Sequence, residues 1–355
     1  MISKWFWFLL VTLGLTASCS SDDEPRIPEI ILLSQTAIPG NLGTDVWGYR
    51  DGNGREYAIM GDFSDLRDGN ITIVEVTDPS NPSVITTFDE VIGFDVKNKD
   101  QYLYVTNSDF PSASDDSSRI IDISDPSQPV VVGAFQPAHN CWVEGNFLYV
   151  SFEFEPGLRI FDLSTNPKSP QLVWEDTNIG GAHDVAVIRG RMYDFHGSDA
   201  TYIYDVADPS SPQLLGEVRN QDTFHHSGWV SDDDNYLFIC DEGAPDPLPD
   251  VTIWDISDPS NPQRVGDISD NTARVHNLYI QGDLAYVSYY GAGFKIFDVS
   301  DPAQPVLLDQ FQTNINGGNG IGNGFVGAFG VYPFSPSGNI FVSDMDNGLF
   351  IFEYR

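Results

Sequence analysis

A recurring turn motif constrains the fold of this chain more than any other feature. Six times, a short apolar run ends in an acidic residue and is followed by Asp-Pro-x-x-Pro, or once Asn-Pro-x-x-Pro, and a second apolar run. The first prolines lie 41 to 50 residues apart, at Pro79, Pro126, Pro167, Pro209, Pro259 and Pro302. This period is typical of a four-stranded propeller blade. Since Asp or Asn can cap its own turn and Pro removes a donor, the motif is predicted to be a structural turn between third and fourth strands.

The two ends of the chain together predict a seventh blade. After Pro305, the C-terminal segment holds three more strand-like runs, and residues 28–40 match the outer strands of the other units. We therefore predict an all-β, seven-bladed propeller over residues 28–355, closed by the N-terminal strand, because closure removes exposed sheet edges. The inner strands are predicted to begin near Trp47, Phe94, His139, His183, His226, His276 and Gly330.

The first 27 residues are predicted to lie outside the fold. Lys4 precedes an apolar run at residues 5–15, which is too short to span a bilayer and is typical of a signal peptide, here residues 1–18. The small residues before Cys19 resemble a bacterial lipobox, with Thr16 departing slightly from the usual pattern, so Cys19 is predicted to be lipidated and residues 19–27 to form a tether. Ordinary cleavage with an incidental Cys19 is the alternative. The acidic SSDDE that follows resembles an export signal of surface lipoproteins and favours the outer membrane and the cell surface.

Charge and cysteine content narrow the classes of partner. The formal net charge is −35, with 17 Lys and Arg against 52 Asp and Glu, so nucleic acid and other polyanions are excluded as partners. Cys141 and Cys240 lie in strand-like runs and are predicted to be buried free thiols. The membrane is expected to be contacted only through the lipid, and a monomer is expected.

Several distinct segments resemble a known family in the same order. They include DVWGYRDGNGREYAIMG, FHHSGWVSDDDNYLFICDE and YPFSPSGNIFVSDMDNGLFIFEY. The repeats are similar to LVIVD repeats of bacterial surface proteins, and the whole resembles the choice-of-anchor B family. The resemblance implies a surface-attached β-propeller and implies no activity.

Four histidines are predicted to meet at one end of the channel. His139, His183, His226 and His276 each stand where an inner strand should begin, at the end here called the top. Neutral imidazoles converging from separate strands could bind Zn, Cu or Fe with an open position; Ca is less suited. Two other roles stay open, a hydrogen bond from each imidazole to a neighbouring blade and direct contact with an organic ligand.

Other polar and aromatic residues are predicted to share the top face. The candidates are Trp47, Asp95, Asn140, Glu153, Asp184, Asp194, His196, Asp241, Glu242, Asn277 and Asp344. The long irregular segments 108–118, 242–250 and 313–329 should open on the same face, which favours it as the binding surface.

Two functions follow from this arrangement. The first is a surface lipoprotein that acts as a non-enzymatic scaffold and binds a protein or glycan partner through the top face. The alternative is a secreted metalloenzyme with its ion on the four histidines and a nearby carboxylate, such as Glu153 or Asp241, as a base.

Overall fold

The structure is a computed structural model of the 355-residue chain. It describes residues 28–38, 42–65, 68–89, 91–107, 118–152, 157–176, 180–220, 223–243, 248–270, 272–315, 317, 320 and 324–355. Within these ranges the regular structure consists of strands, and no helix there is long and apolar enough to cross a membrane.

Twenty-eight strands in the described residues form seven four-stranded antiparallel sheets. The strand that precedes the first complete blade is β1 (Ile30–Thr36). Blade 1 contains β2 (Leu42–Arg50), β3 (Glu56–Asp65), β4 (Asp68–Glu75) and β5 (Ser83–Phe88). Blade 2 contains β6 (Val96–Lys99), β7 (Tyr102–Val105), β8 (Ser118–Asp122) and β9 (Val130–Phe135). Blade 3 contains β10 (Asn140–Glu144), β11 (Phe147–Ser151), β12 (Leu158–Asp162) and β13 (Gln171–Glu175).

The remaining blades repeat this order. Blade 4 contains β14 (Asp184–Ile188), β15 (Arg191–Phe195), β16 (Thr201–Asp205) and β17 (Gln213–Val218). Blade 5 contains β18 (His225–Val230), β19 (Tyr236–Asp241), β20 (Val251–Asp255) and β21 (Gln263–Ile268). Blade 6 contains β22 (Leu278–Gln281), β23 (Leu284–Tyr289), β24 (Gly293–Asp298) and β25 (Val306–Phe311). Blade 7 contains β26 (Ala328–Tyr332), β27 (Ile340–Asp344) and β28 (Gly348–Tyr354), with β1 as its fourth strand.

The ring closes as predicted. β1 pairs antiparallel with β28, from Ile30 opposite Tyr354 to Thr36 opposite Leu349. Six inner strands begin within two residues of the predicted position, and the exception is β2, which begins five residues before Trp47. Apolar side chains fill the spaces between blades, for example Ile59 and Ile71 of blade 1 against Leu103 of blade 2.

The repeated motif is the predicted turn between third and fourth strands. In blade 1, Asp78 Oδ1 accepts a hydrogen bond from Ser80 N–H, and Asp78 O accepts one from Asn81 N–H. The corresponding acceptors in the next five blades are Asp125, Asn166, Asp208, Asp258 and Asp301. Each turn satisfies its own backbone donors, which explains why the motif recurs at one end of the propeller. Cys141 and Cys240 are buried free thiols, as predicted.

A glycine in the outer strand of blade 4 allows the next blade to approach. A Cβ at Gly216 would lie 1.7 Å from the carbonyl oxygen of Pro259, in the turn of blade 5. We expect Gly216→Ala to lower the free energy of unfolding by about 2 kcal/mol or more, because the clash is with backbone that cannot move aside. The control is Gly52→Ala, whose Cβ would have nothing within 4 Å. Urea unfolding of both variants tests this, and equal stabilities would contradict the close packing of the blades.

Candidate functional site

Side chains from the inner strands form three layers along the central channel. The lowest layer is aromatic, with Trp142 of blade 3 contacting Trp47 of blade 1 at a ring-centroid distance of 5.6 Å and Trp229 of blade 5 at 5.3 Å. These contacts join blades that are not neighbours, so they cross the axis of the propeller. Tyr279 and Phe334 complete the layer, which closes the bottom of the channel.

The prediction that Trp47 lies on the top face is therefore wrong. Its indole N–H donates to Asn98 Oδ1 at 2.9 Å, close to the bottom hairpin of blade 2. The cause is the early start of β2 together with an irregularity in its pairing between Gly43 and Val46, which places Trp47 further down the channel. Trp142 and Trp229 also belong to this layer.

The middle layer is charged and polar. Lys97 Nζ lies 2.9 Å from Asp45 Oδ2 and also contacts Asp95, and all three side chains are buried. Burial raises the pKa of Asp45 well above its usual value. Burial alone would also raise the pKa of Asp95, but the ammonium of Lys97 and hydrogen bonds, including one from Cys141 N–H, bring it below its usual value. Asp45 belongs to blade 1, Asp95 and Lys97 belong to blade 2, and Cys141 N–H of blade 3 donates to Asp95, so the ion triad links these three blades.

Three of the predicted top-face residues, Asp95, Asn140 and Asn277, lie in this middle layer. Asn140 Oδ1 accepts a hydrogen bond from Val185 N–H of the next blade at 3.1 Å. Asn277 Oδ1 is buried without a hydrogen-bond partner among the described residues. Both side chains, with Asp95, line a central cavity of about 30 Å³, which is large enough for an ordered water. Asp95 and Asn140 therefore join neighbouring blades below the top face.

The top layer contains the four predicted histidines, which the structure brings together. The ring centroids of His139 and His183 are 4.1 Å apart, those of His183 and His226 are 4.4 Å apart, and those of His226 and His276 are 4.5 Å apart. All four residues are buried, with relative exposures of 3 to 6 %. We call these four residues the histidine cluster.

Hydroxyl groups from neighbouring blades position the backbone of the cluster. The hydroxyl of Thr106 donates to His139 O, that of Ser151 to His183 O and that of Ser227 to His276 O, at 2.6 to 2.9 Å. Each bond runs from one blade to the next, so the ring of blades sets the spacing of the imidazoles. The Ser227 hydroxyl thereby donates to backbone and does not pair with His226.

A β-bulge decides which of two adjacent histidines enters the cluster. The pairing of β18 with β19 shifts between His225 and Ser227, so that His226 is the extra residue. Bulges re-aim side chains, and here His226 faces its cluster neighbours whereas His225 Nδ1 lies 2.7 Å from Thr201 Oγ1. Only His226 belongs to the channel.

Glu242 joins the histidine cluster from the end of blade 5's second strand. Its Oε2 lies 3.8 Å from His226 Nε2 and its Oε1 lies 3.9 Å from His276 Nε2. Tyr290 O–H donates to Oε1 at 2.6 Å, and an Arg274 N–H donates to the Glu242 carbonyl at 2.8 Å. The carboxylate is thus directed at the imidazoles by its neighbours.

Burial keeps three of the four histidines neutral near pH 7. It lowers the pKa of His139 and of His226 well below the usual value, with nearby histidines acting in the same direction. The pKa of His276 falls to about 4, chiefly through burial. Burial raises the pKa of Asp184, whose Oδ1 lies 3.1 Å from His183 Nδ1. Neutral imidazoles offer lone pairs to an ion, which is the state that metal binding requires.

The remaining predicted residues lie elsewhere. Asp194 pairs with His196 inside blade 4, at 3.2 Å between Oδ1 and Nδ1. Asp241 Oδ1 accepts from the N–H groups of Phe224 and Gly243 and so shapes the turn that carries Glu242. Asp344 caps the corresponding turn of blade 7. Glu153 and Cys19 lie outside the described residues.

Sequence reasoning missed the aromatic and carbonyl groups that enclose the cluster. Phe329 packs on His276 with ring centroids 3.9 Å apart, and its carbonyl lies 2.7 Å from His276 Nδ1. Phe224 packs edge-on to His183 at 5.1 Å. The position of Phe329 at the start of an inner strand, equivalent to that of the histidines, is the signal that could have indicated this role.

A larger cavity, of about 410 Å³, opens at the bottom of the propeller. The first hairpin turns of blades 7, 1 and 2 line it, including Tyr49, Arg50, Glu56 and Gln101. Glu56 Oε2 accepts hydrogen bonds from Ser335 and Ser337 and so is occupied in holding two of these turns together. This cavity lies at the opposite end of the molecule from the histidine cluster.

Comparison with known proteins identifies the repeats. The LVIVD repeat model matches residues 94–136, 137–175, 229–270 and 274–313. No curated protein matches the chain. The matched segments cover all strands of blades 2, 3 and 6 and most of blade 5. The chain therefore contains four LVIVD repeats within a seven-bladed β-propeller.

Proposed function

We infer that this propeller is a surface lipoprotein that serves as an interaction scaffold, binding a protein or glycan partner through its top face. The observation that carries the proposal is the asymmetry of its connections. Three pairs of strand ends at the top are separated by 9 to 16 residues of chain, namely β7 and β8, β19 and β20, and β25 and β26. Parts of each connection, including residues 108–117 and 244–247, lie outside the described residues. At the bottom, short turns satisfy their own backbone donors. Long connections on one face of a rigid scaffold are where binding usually resides.

The N-terminal sequence supports the cellular location in this proposal. A lipid on Cys19 and the tether to residue 27 would hold the propeller outside the outer membrane without a membrane span. The acidic net charge of −35 would keep the domain away from anionic lipid headgroups and extended into solvent. Globomycin-sensitive processing of the wild type, absent in Cys19→Ser, tests the anchor.

The binding face is tested by two matched variants on intact cells and on purified protein. In the first, residues 108–117 are replaced by a Gly-Ser linker of equal length. In the second, Arg50→Ala and Gln101→Ala alter the bottom cavity. Photo-crosslinking to envelope proteins and binding to a glycan array are the measurements. We expect the top variant to lose about tenfold or more in affinity and the bottom variant to stay within about twofold.

The opposite result would contradict the proposal. If the bottom variant loses binding and the top variant keeps it, the cavity of about 410 Å³ is the binding site instead. Turnover of a small substrate by the purified protein, without any macromolecular partner, would favour the metalloenzyme hypothesis. The histidine cluster is the observation that favours the metalloenzyme hypothesis.

A further inference from the structure

The histidine cluster and Glu242 together form a set of metal-binding donors. One imidazole nitrogen each from His183 and His226 and one carboxylate oxygen from Glu242 lie within 4.8 Å of one another. Two ligands about 2.1 Å from a tetrahedral ion lie roughly 3.4 Å apart. His226 Nε2 and Glu242 Oε2, at 3.8 Å, are already close to that separation. Rotations of a few side-chain torsions would bring the three donors onto one ion.

Neighbouring groups orient two of the imidazoles and fix the tautomer of His276. The carbonyl oxygen of Phe329, 2.7 Å from His276 Nδ1, can only accept a hydrogen bond, so Nδ1 carries the hydrogen. In the neutral ring Nε2 then keeps its lone pair, and it faces Glu242 at 3.9 Å. Asp184 Oδ1 lies 3.1 Å from His183 Nδ1 and orients that ring. An imidazole that donates its other N–H to a carbonyl or carboxylate is the usual arrangement of a metal ligand.

The carboxylate is oriented by equally specific contacts. Tyr290 O–H donates to Glu242 Oε1, which leaves lone pairs on both oxygens for an ion. His226 Nδ1 has no hydrogen-bond partner among the described residues, and its ring is 3 % exposed. A carboxylate beside buried imidazoles is a donor set that a divalent transition-metal ion takes in proteins.

We propose that His183, His226 and Glu242 bind one divalent transition-metal ion at the top of the channel, with His276 as a fourth ligand. Imidazole and carboxylate donors suit Zn²⁺ and Fe²⁺ better than Ca²⁺, which prefers six to eight oxygens. The site is independent of the proposed top-face partner, because its donors lie within the channel and its ion would bind without any macromolecule.

The test is metal binding by the full-length protein, purified in detergent without a polyhistidine tag. The protein is stripped with a chelator, dialysed, and titrated with Zn²⁺ by calorimetry and with Co²⁺ by visible absorption. We expect one equivalent to bind with a Kd of about 1 µM or lower, and four-coordinate Co²⁺ bands. His226→Gln and Glu242→Gln should each weaken binding by roughly 100-fold or more, beyond the usual loss of an outer-shell partner.

The adjacent histidine provides the matched control. His225→Gln lies one residue away in the same strand and outside the cluster, so it should keep the affinity of the wild type. Glu242 is partly exposed, so Glu242→Gln is expected to fold, which circular dichroism verifies. Absence of stoichiometric binding by folded wild type would overturn the proposal. So would loss of binding in His139→Gln but not in His226→Gln, which would move the ion to His139, His183 and Asp184.

Discussion

Deleting residues 28–38 is expected to abolish folding of the propeller. The deletion removes β1, the fourth strand of blade 7, and leaves β28 as an open edge beside blades 6 and 1. The side chains of Leu349, Ile351 and Phe352 are fully buried in the closed ring. Their exposure, with the loss of closure, should remove about 5 kcal/mol or more, which is comparable to the whole stability of a domain. Soluble yield and urea unfolding are the measurements.

Substitutions at two adjacent leucines distinguish the loss of ring closure from a general effect of changing β1. Leu33 packs against the core between blades 7 and 1, whereas Leu32 is 36 % exposed. We expect Leu33→Ser to cost about 2 kcal/mol and Leu32→Ser less than about 1 kcal/mol. A deletion variant that folds with the stability of the wild type would show that β1 does not close the ring.

Acidification of metal-free protein from pH 7 to pH 5 is expected to destabilise it by several kcal/mol. The pKa of His225 and that of His276 are lowered to about 4 by burial, and burial also lowers those of His139 and His226 well below the usual value. Below about pH 6.5 the unfolded chain therefore binds more protons than the folded one, so stability falls as the pH falls. His225 and His276 contribute about 2 kcal/mol each by pH 5.

Neighbouring charged groups limit how far stability falls between pH 7 and pH 5. Glu242 faces His276 and partly offsets the effect of burial on the pKa of His276. The raised pKa of Asp184 opposes the loss of stability, because the folded protein takes up a proton there more readily than the unfolded chain as the pH falls. Urea unfolding in EDTA between pH 8 and pH 5 is the measurement. His276→Gln should reduce the slope of stability against pH. The pKa of His196, in contrast, is raised by hydrogen bonding to Asp194 against the effect of burial, so His196→Gln should steepen the slope. Equal stability at pH 7 and pH 5 would contradict a buried neutral cluster.

The fold could be predicted almost completely because a local sequence repeat specifies each blade. Asp-Pro turns and alternating apolar residues specify each blade without reference to distant parts of the chain. The unmatched runs at the two ends, residues 28–40 and the segment after Pro305, indicated closure by simple counting. The repeats also placed His139, His183, His226 and His276 at one level of the channel, which the structure confirms.

The site itself depends on features that no single repeat encodes. The bulge in β18 places His226 in the channel and His225 outside it, and an irregularity in β2 moves Trp47 to the lower layer. Contacts across the axis, such as that of Trp142 with Trp229, join blades far apart in sequence. Glu242 was predicted only as a top-face residue, because its pairing with His226 and His276 requires the turn that Asp241 holds.

Anomalous diffraction from zinc-soaked crystals of the protein would test the central claim most directly. That claim is that side chains at the top of the channel form a ligand-binding site, whereas aromatic side chains close the bottom. We expect one strong peak at the zinc edge, about 2.1 Å from the imidazole nitrogens of His183 and His226 and beside the carboxylate of Glu242. A map without that peak, or with zinc bound only outside the channel, would contradict the account.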